Sequence, residues 1–274
     1  MILIVAVLLC SVTTLRATAA GVASLNLCTD SMLLELAPDA AIAAITTLSR
    51  DPALSPFAIR ARTLPVLHGY AEEIVRLQPA LTLSGAGSTS ATNALLARLG
   101  VSLELFDAAP DLAAFAENFR RVGGYLGAHE RTEALLANMR RRLERHQKNE
   151  VDPALTALVL EPNGYAPGPD TLADDLLAAV GMTNQAAALG VPHGGFVTLE
   201  ALVRSPPAWL LVSTIDPSRP ALANEFLQHP VLRQVLANRL RVLAVPESLW
   251  ACGGTYFADA VDFIAQNIHA AAAQ

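Results

Sequence analysis

The residues best equipped for chemistry stand in short loops that follow apolar runs. Leu249 to Phe257 (LWACGGTYF) groups Trp250, Tyr256 and Phe257 around two glycines, soon after the apolar run Val242 to Val245. Aromatics make up only 5% of the chain, with 2 Trp, so three of them in one loop are informative. Such a loop suits a flat or macrocyclic ligand; the plainer reading packs Trp250 into a core. Tyr165 stands on another such loop, Glu161 to Gly168 (EPNGYAPG). Asp30 and Arg50 follow the first two apolar runs and are the charged groups expected nearest a cleft. Ser84 to Ser90 (SGAGSTS) follows a strand and opens a helix, with Asp107 placed 20 residues after Gly87. This imitates a dinucleotide fingerprint, where glycines let a pyrophosphate approach a helix N-terminus, but Ser90 stands where the third glycine belongs. The alternative is a small-residue loop in which Gly87 lines a cleft. His68 and His193 precede similar segments and either are solvated or face each other across a cleft. Tyr70, beside His68, is a candidate metal or haem ligand or an amphipathic wall residue.

No Gly-x-Ser-x-Gly elbow, His-Glu-x-x-His motif, Walker loop or Cys-x-x-Cys pair occurs, and no two histidines share the i, i+4 spacing of a metal site. The chain is therefore read as a binder, with no catalytic residue, no metal site and no cofactor of its own. An exported oxidoreductase using the Gly85 to Gly87 loop, and a scaffolding protein with a degenerate cleft, are the alternatives.

The elements that must position these residues come in two copies. Glu72 to Leu83 (EEIVRLQPALTL) reappears as Glu200 to Leu211 (EALVRSPPAWLL), at a constant offset of 128 residues. Pro65 to Gly69 leads into the first copy, and Pro192 to Gly194 into the second. Similarity at half the chain length predicts two lobes of like build, with a binding site between them. Glu72 and Glu200 open equivalent helices. Each either complements a helix dipole or presents a carboxylate outward to a two-fold symmetric partner with basic sites.

Short apolar runs alternate with amphipathic ones, which predicts α/β architecture: two lobes, each with a central, mostly parallel sheet. Strands are expected at Val22 to Leu27, Ala41 to Ile45, Ala80 to Leu83, Val101 to Phe106, Ala157 to Leu160 and Val242 to Val245. Helices are expected at Ser31 to Ala37, Ala71 to Leu77, Ala91 to Leu99, Leu112 to Leu126, Thr171 to Val180, Val231 to Ala237 and Phe257 to Ala272. One long helix, Ala128 to about Lys148, joins the lobes through the apolar stripe Leu135, Leu136, Met139 and Leu143. Its arginines, Arg140, Arg141, Arg142 and Arg145, read as a solvated face rather than a nucleic-acid patch, because the net charge is −6. The expected organisation is an export signal over 1–19, an N-terminal lobe over 20–126, a connecting helix over 127–150 and a C-terminal lobe over 151–274. The signal reading rests on the apolar stretch Met1 to Val12 and the small residues Ala17 to Ala19. Cys28 and Cys252 would remain after cleavage, as a disulfide or as two buried thiols.

Taken together, Ala23 to Asp30 (ASLNLCTD), Gly69 to Pro79 (GYAEEIVRLQP), Val122 to Gly127 (VGGYLG) and Trp250 to Gly253 (WACG) resemble the periplasmic substrate-binding proteins of ABC importers for cobalamin, ferric siderophores and haem. The family's usual Lys-Pro-Asp is here Gln78, Pro79 and Ala80. The resemblance implies a monomer with two α/β lobes, a long connecting helix and a ligand held between the lobes with little closure. It implies delivery to a permease dimer in the inner membrane, docked through Glu72 and Glu200, with Glu73 competing for the first role. The bound solute would bring its own iron or cobalt. Tyr70 and His68 favour haem; the lack of a basic cluster disfavours an anionic catecholate.

Overall fold

Val22 and Ala23 are chain neighbours that feed different cores, because successive side chains on a strand point to opposite faces. Ala157 and Val159 likewise enter one core, while Leu158 and Leu160 enter another. A sheet buried on both faces reads as a short apolar run, and such sheets are usually parallel. The computed structural model describes residues 21–87, 90–147, 155–161, 164–214, 230 and 240–272. The expected export signal and the helix expected at Val231 to Ala237 lie outside these residues.

The first sheet has five parallel strands in the order β3-β2-β1-β4-β5. They are β1 (Val22–Ser24), β2 (Ile42–Thr46), β3 (Val66–Leu67), β4 (Leu81–Gly85) and β5 (Leu103–Phe106). The second has four parallel strands in the order β11-β10-β6-β8: β6 (Thr156–Leu160), β8 (Thr183–Asn184), β10 (Trp209–Thr214) and β11 (Arg241–Pro246). A separate antiparallel pair joins β7 (Tyr165–Ala166) to β9 (Gly195–Phe196). The chain therefore has two α/β lobes. In each, the order reverses at a switch point, β1/β4 and β6/β10, and ligands of open α/β sheets bind beyond the strand C-termini there.

Helices α1 (Leu27–Leu36), α2 (Ala58–Ala61), α3 (Ala71–Leu77), α4 (Ser90–Arg98) and α5 (Leu112–Tyr125) belong to the first lobe. Helix α6 (His129–Gln147) connects the lobes, and α7 (Leu172–Ala179), α8 (Leu199–Arg204) and α9 (Phe257–Ala272) belong to the second. The sequence extended the first strand to Leu27, but Asn26 ends it. Its side-chain oxygen accepts from the N–H of Cys28 at 2.9 Å, so α1 starts at once. Helix α3 ends on Gln78 in the left-handed region, φ 49°, whose N–H caps Ile74 O.

Leu136, Met139 and Leu143 of α6 are buried in one continuous core with Phe115 and Phe119 of the first lobe and Val261 and Ile264 of the second. The connecting helix is thus part of both lobes rather than a strap between them. Arg142 departs from the expected solvated face. It pairs with Asp259 at 2.5 Å and with Asp262, while His146 lies 2.6 Å from Asp262, so α6 is tied to α9 by charge as well as packing.

Candidate functional site

Two adjoining cavities open where the C-terminal ends of the two sheets meet. The larger, about 550 Å³, has Ala108, Ala109 and Pro110 of the first lobe on one side. Glu161, Tyr165, Thr171, Ser213, Glu247 and Trp250 of the second lobe stand on the other. The smaller, about 210 Å³, reaches into the first lobe past Asn26, Gly87, Phe106, Asp107 and Asn118. Both share Ala108, Ala109, Leu172 and Ala251. Each wall is a set of strand tips: Glu161 directly follows β6, Glu247 directly follows β11, and Asp107 directly follows β5.

Tyr165 is fixed by β7, whose partner Phe196 meets it edge-on at 5.7 Å between ring centroids. The approach depends on glycine. A Cβ on Gly168 would lie 2.4 Å from the N of Gly194, and one on Gly194 (φ +79°) would lie 2.7 Å from the Tyr165 hydroxyl. Trp250 is 6% exposed, and its indole Nε1 has no hydrogen-bond partner among the described residues. Ser213 Oγ donates to Glu247 Oε2 at 3.2 Å. Burial, and then the charge of Glu247, push the Glu161 carboxyl above its ordinary range.

Of the eight residues expected at the cleft, Gly87, Tyr165 and Trp250 line these cavities. The other five do not. Asp30 is fully buried, with one carboxylate oxygen accepting from Thr46 N, Thr46 Oγ1 and Ser49 Oγ at 3.0, 2.5 and 2.7 Å. Burial raises its pKa to about 6, and the hydroxyls of Ser24, Thr46 and Ser49 pull it back only part way. Arg50 is spent on structure too, donating to the carbonyls of Ala61 and Leu64 at 3.2 and 2.6 Å. His68 is exposed beside Glu73, Tyr70 is 66% exposed, and His193 is exposed. Asp30 and Arg50 are held inward by their own hydrogen-bond partners, while His68, Tyr70 and His193 stand on exposed loops beside β3 and β9.

The loop that carries Trp250 is also the joint between the lobes. Cys252 is bridged to Cys28 of α1, with Cα atoms 5.1 Å apart. A Cβ on Gly253 (φ +70°) would stand 3.2 Å from the Phe115 ring. Thr255 donates its N–H to Glu35 Oε1 at 3.2 Å and its hydroxyl to Glu35 Oε2, while Tyr256 meets Phe57 edge-on at 5.6 Å. Elsewhere on the seam, the N–H of Leu112 donates to Asp175 at 2.8 Å.

A partly aromatic cavity thus lies between two switch points, on lobes locked to one helix. A sequence profile for periplasmic binding proteins matches residues 22–241. The chain belongs to the periplasmic binding protein family. No curated protein matches this periplasmic binding protein by sequence. Solved structures share its fold. A periplasmic haem-binding protein of Vibrio cholerae superposes with a TM-score of 0.73 at 16% identity, over 92% of this chain and 99% of that one. A periplasmic vitamin B12-binding protein of the same organism gives 0.66 at 17%, over 93% and 99%. A protein of an ABC-type Fe3+-hydroxamate transport system from Saccharomonospora viridis gives 0.69 at 19%, over 91% and 93%.

Sequence reasoning passed over Glu161, Ser213 and Glu247 in this periplasmic binding protein. The signal was present, because both glutamates are the first residue after an apolar run that ends at a strand tip. Glu35, read only as part of a helix, is a carboxylate that joins the lobes. The structure also separates Glu72 from Glu73. Glu73 Oε2 accepts from the N–H of His68 at 2.9 Å and of Tyr70 at 3.1 Å, while Glu72 is exposed on α3. Slight burial raises the Glu73 pKa, but the hydrogen bonds from His68 and Tyr70 outweigh it and hold the carboxyl below its usual range. Glu200 is exposed at the equivalent place on α8.

Proposed function

We propose that this protein is the periplasmic solute-binding component of an ABC importer, which captures an iron chelate or cobalamin in the inter-lobe cavity and hands it to a membrane permease. The observation that carries the reading is the cavity itself, set across both switch points and walled by Trp250 and Tyr165. Its size suits part of a macrocycle or a wrapped siderophore, with the remainder held at the open mouth. Haem loses the support that Tyr70 and His68 offered in sequence, since both stand away from the cavities. The core shared through α6 and the Cys28–Cys252 bridge limit lobe movement, so ligand entry would change the shape little. The ligand gains access through the open side, and the permease reads Glu72 and Glu200, one exposed carboxylate from each lobe.

Thermal melting with cyanocobalamin, haemin and a set of ferric siderophores tests capture. A ligand present at about 100 times its Kd stabilises the folded state by about 2.7 kcal/mol and raises the melting temperature. No shift with any of them would sink the reading. Delivery has a separate test: Glu72→Lys with Glu200→Lys should abolish uptake in cells and leave ligand affinity unchanged. Normal uptake in that variant overturns the docking role.

A further inference from the structure

Among the described residues, the cavity walls carry carboxylates and no cation. Glu161 and Glu247 line the larger cavity and Asp107 lines the smaller, whereas no Lys, Arg or His among the described residues lines either. Elsewhere in the molecule acids find cations: Asp39 has Arg60, Glu133 has Arg120, and Asp259 and Asp262 have Arg142. Glu161 and Glu247 have no ion-pair partner among the described residues, although they sit near enough to repel each other and Glu161 is half-buried. A carboxylate withdrawn from water beside a second carboxylate is destabilised unless a positive or hydrogen-bond-donating group answers it. Ser213 Oγ, at 3.2 Å from Glu247, is the one side-chain donor that answers either acid among the described residues.

Trp250, on the same wall as the two glutamates, also suits a cation. Trp250 is more than nine-tenths buried, and its indole N–H has no acceptor among the described residues. The face of a Trp ring also attracts cations when water is excluded.

We propose that the cavity selects a chelate whose rim carries ammonium or amide N–H groups, which Glu161 and Glu247 accept, and that it discriminates against chelates with an anionic rim. The inference rests on the solute-binding reading above and narrows it to a substrate class. A cationic hydroxamate siderophore and an amide-fringed corrinoid share this chemistry. Haem, with its propionates, and ferric catecholates would bring like charge to the carboxylates.

Titration calorimetry on the mature protein at pH 7.5 separates these cases. The probes are ferrioxamine B with its free ammonium, the same chelate N-acetylated, cyanocobalamin and haemin. The expected result is that ferrioxamine B or cyanocobalamin binds roughly tenfold or more tightly than haemin. If ferrioxamine B leads, acetylation should weaken it severalfold; if cyanocobalamin leads, the amide source is identified. Glu161→Gln with Glu247→Gln should bring the preference over haemin below about threefold. The glutamines keep the shape and remove the repulsion, so the ligand-free variant should melt higher than wild type, which also verifies its fold. Haemin binding tightest to wild type, or a preference that survives the double substitution, overturns the inference while leaving solute capture intact. Binding by none of the four overturns the solute-binding reading and this inference together.

Discussion

The two copies of the repeat build the same frame and then part at their tips. Strand β4 and strand β10 begin 128 residues apart, as do α3 and α8. Yet Gly85 near the end of β4 corresponds to Ser213 near the end of β10, and only the serine reaches a carboxylate. The first lobe meets the cavities with the small residues Gly85, Ala86, Gly87 and Ala108, and its polar groups Asn26, Asp107 and Asn118 line only the smaller one. The second meets the larger with Glu161, Tyr165, Glu247 and Trp250. The loops before α3 and α8 diverge in the same way. Gly69 has open space where a Cβ would stand, whereas Gly194 is pressed against the Tyr165 hydroxyl. The repeat accounts for the shared frame, then, while the groups at the strand tips differ between the halves. The lobes still have to act as one body, and the residues of the seam are where that can be broken.

The largest effect should come from the bridge between Cys28 and Cys252. The two residues are 224 positions apart, so the crosslink closes most of the chain into one loop. Chain entropy alone gives such a bridge about 5 kcal/mol, and measured cases typically fall at about 2–4 kcal/mol. Cys28→Ala with Cys252→Ala should lower the urea midpoint accordingly. The transition should remain single, because the core around Leu136, Phe115 and Val261 is shared by both lobes. Two separated transitions would show that the lobes are joined by the disulfide and not by the core.

Glu35 supplies the next test, and its sign is fixed by burial. Removal from water raises its pKa from 4.5 to about 7; hydrogen bonds from Thr255 and the charge of Arg131 oppose the rise, and Asp259 adds to it. Between those values the folded chain keeps a proton that the unfolded chain has released. Stability is therefore full below about pH 4.5 and falls as pH rises through about 7, by about 3 kcal/mol from this group. Asp30, raised from 3.8 to about 6, acts in the same direction. Glu35→Gln cannot ionise, so the loss of unfolding free energy between pH 5 and pH 8 should shrink by up to about 3 kcal/mol relative to wild type. An unchanged pH profile would mean that the hydrogen bonds from Thr255 and the charge of Arg131 offset burial and leave the Glu35 pKa unraised.

Sequence made the frame legible because the frame depends on strong local signals. The offset of 128, the apolar stripe of α6 and the glycine stops locate both lobes and the helix between them. α3 and α9 fall where their periodicity places them, at Ala71–Leu77 and Phe257–Ala272. The cleft was only half legible. The strand-tip rule points to Trp250, Tyr165 and Gly87, which line the cavities, and also to Asp30 and Arg50, whose partners Thr46, Ser49, Ala61 and Leu64 come from other elements and hold them outside. His68, Tyr70 and His193 also lie outside both cavities, because strand order, which decides which tips meet, is not written in any one segment. The Cys28 to Cys252 pairing was open for the same reason.

The smallest effects should separate acids that are adjacent in sequence. Glu73 holds the N–H groups of His68 and Tyr70, which α3 would otherwise leave open at its N-terminus. Thr198 does the corresponding work on α8, its Oγ1 accepting from the N–H of Ala201 at 3.2 Å. Glu73→Ala and Thr198→Ala should each cost about 1 kcal/mol, as lost caps do. Glu72→Ala and Glu200→Ala remove exposed carboxylates and should stay within about 0.5 kcal/mol of wild type. Transport should show the reverse order, falling for Glu72 and Glu200 and holding for Glu73 and Thr198 at temperatures well below melting. Denaturant unfolding and cellular uptake on the same four variants give both readings. If Glu72→Ala destabilises as much as Glu73→Ala, the first lobe has not divided capping from docking, and the equivalence of Glu72 with Glu200 fails.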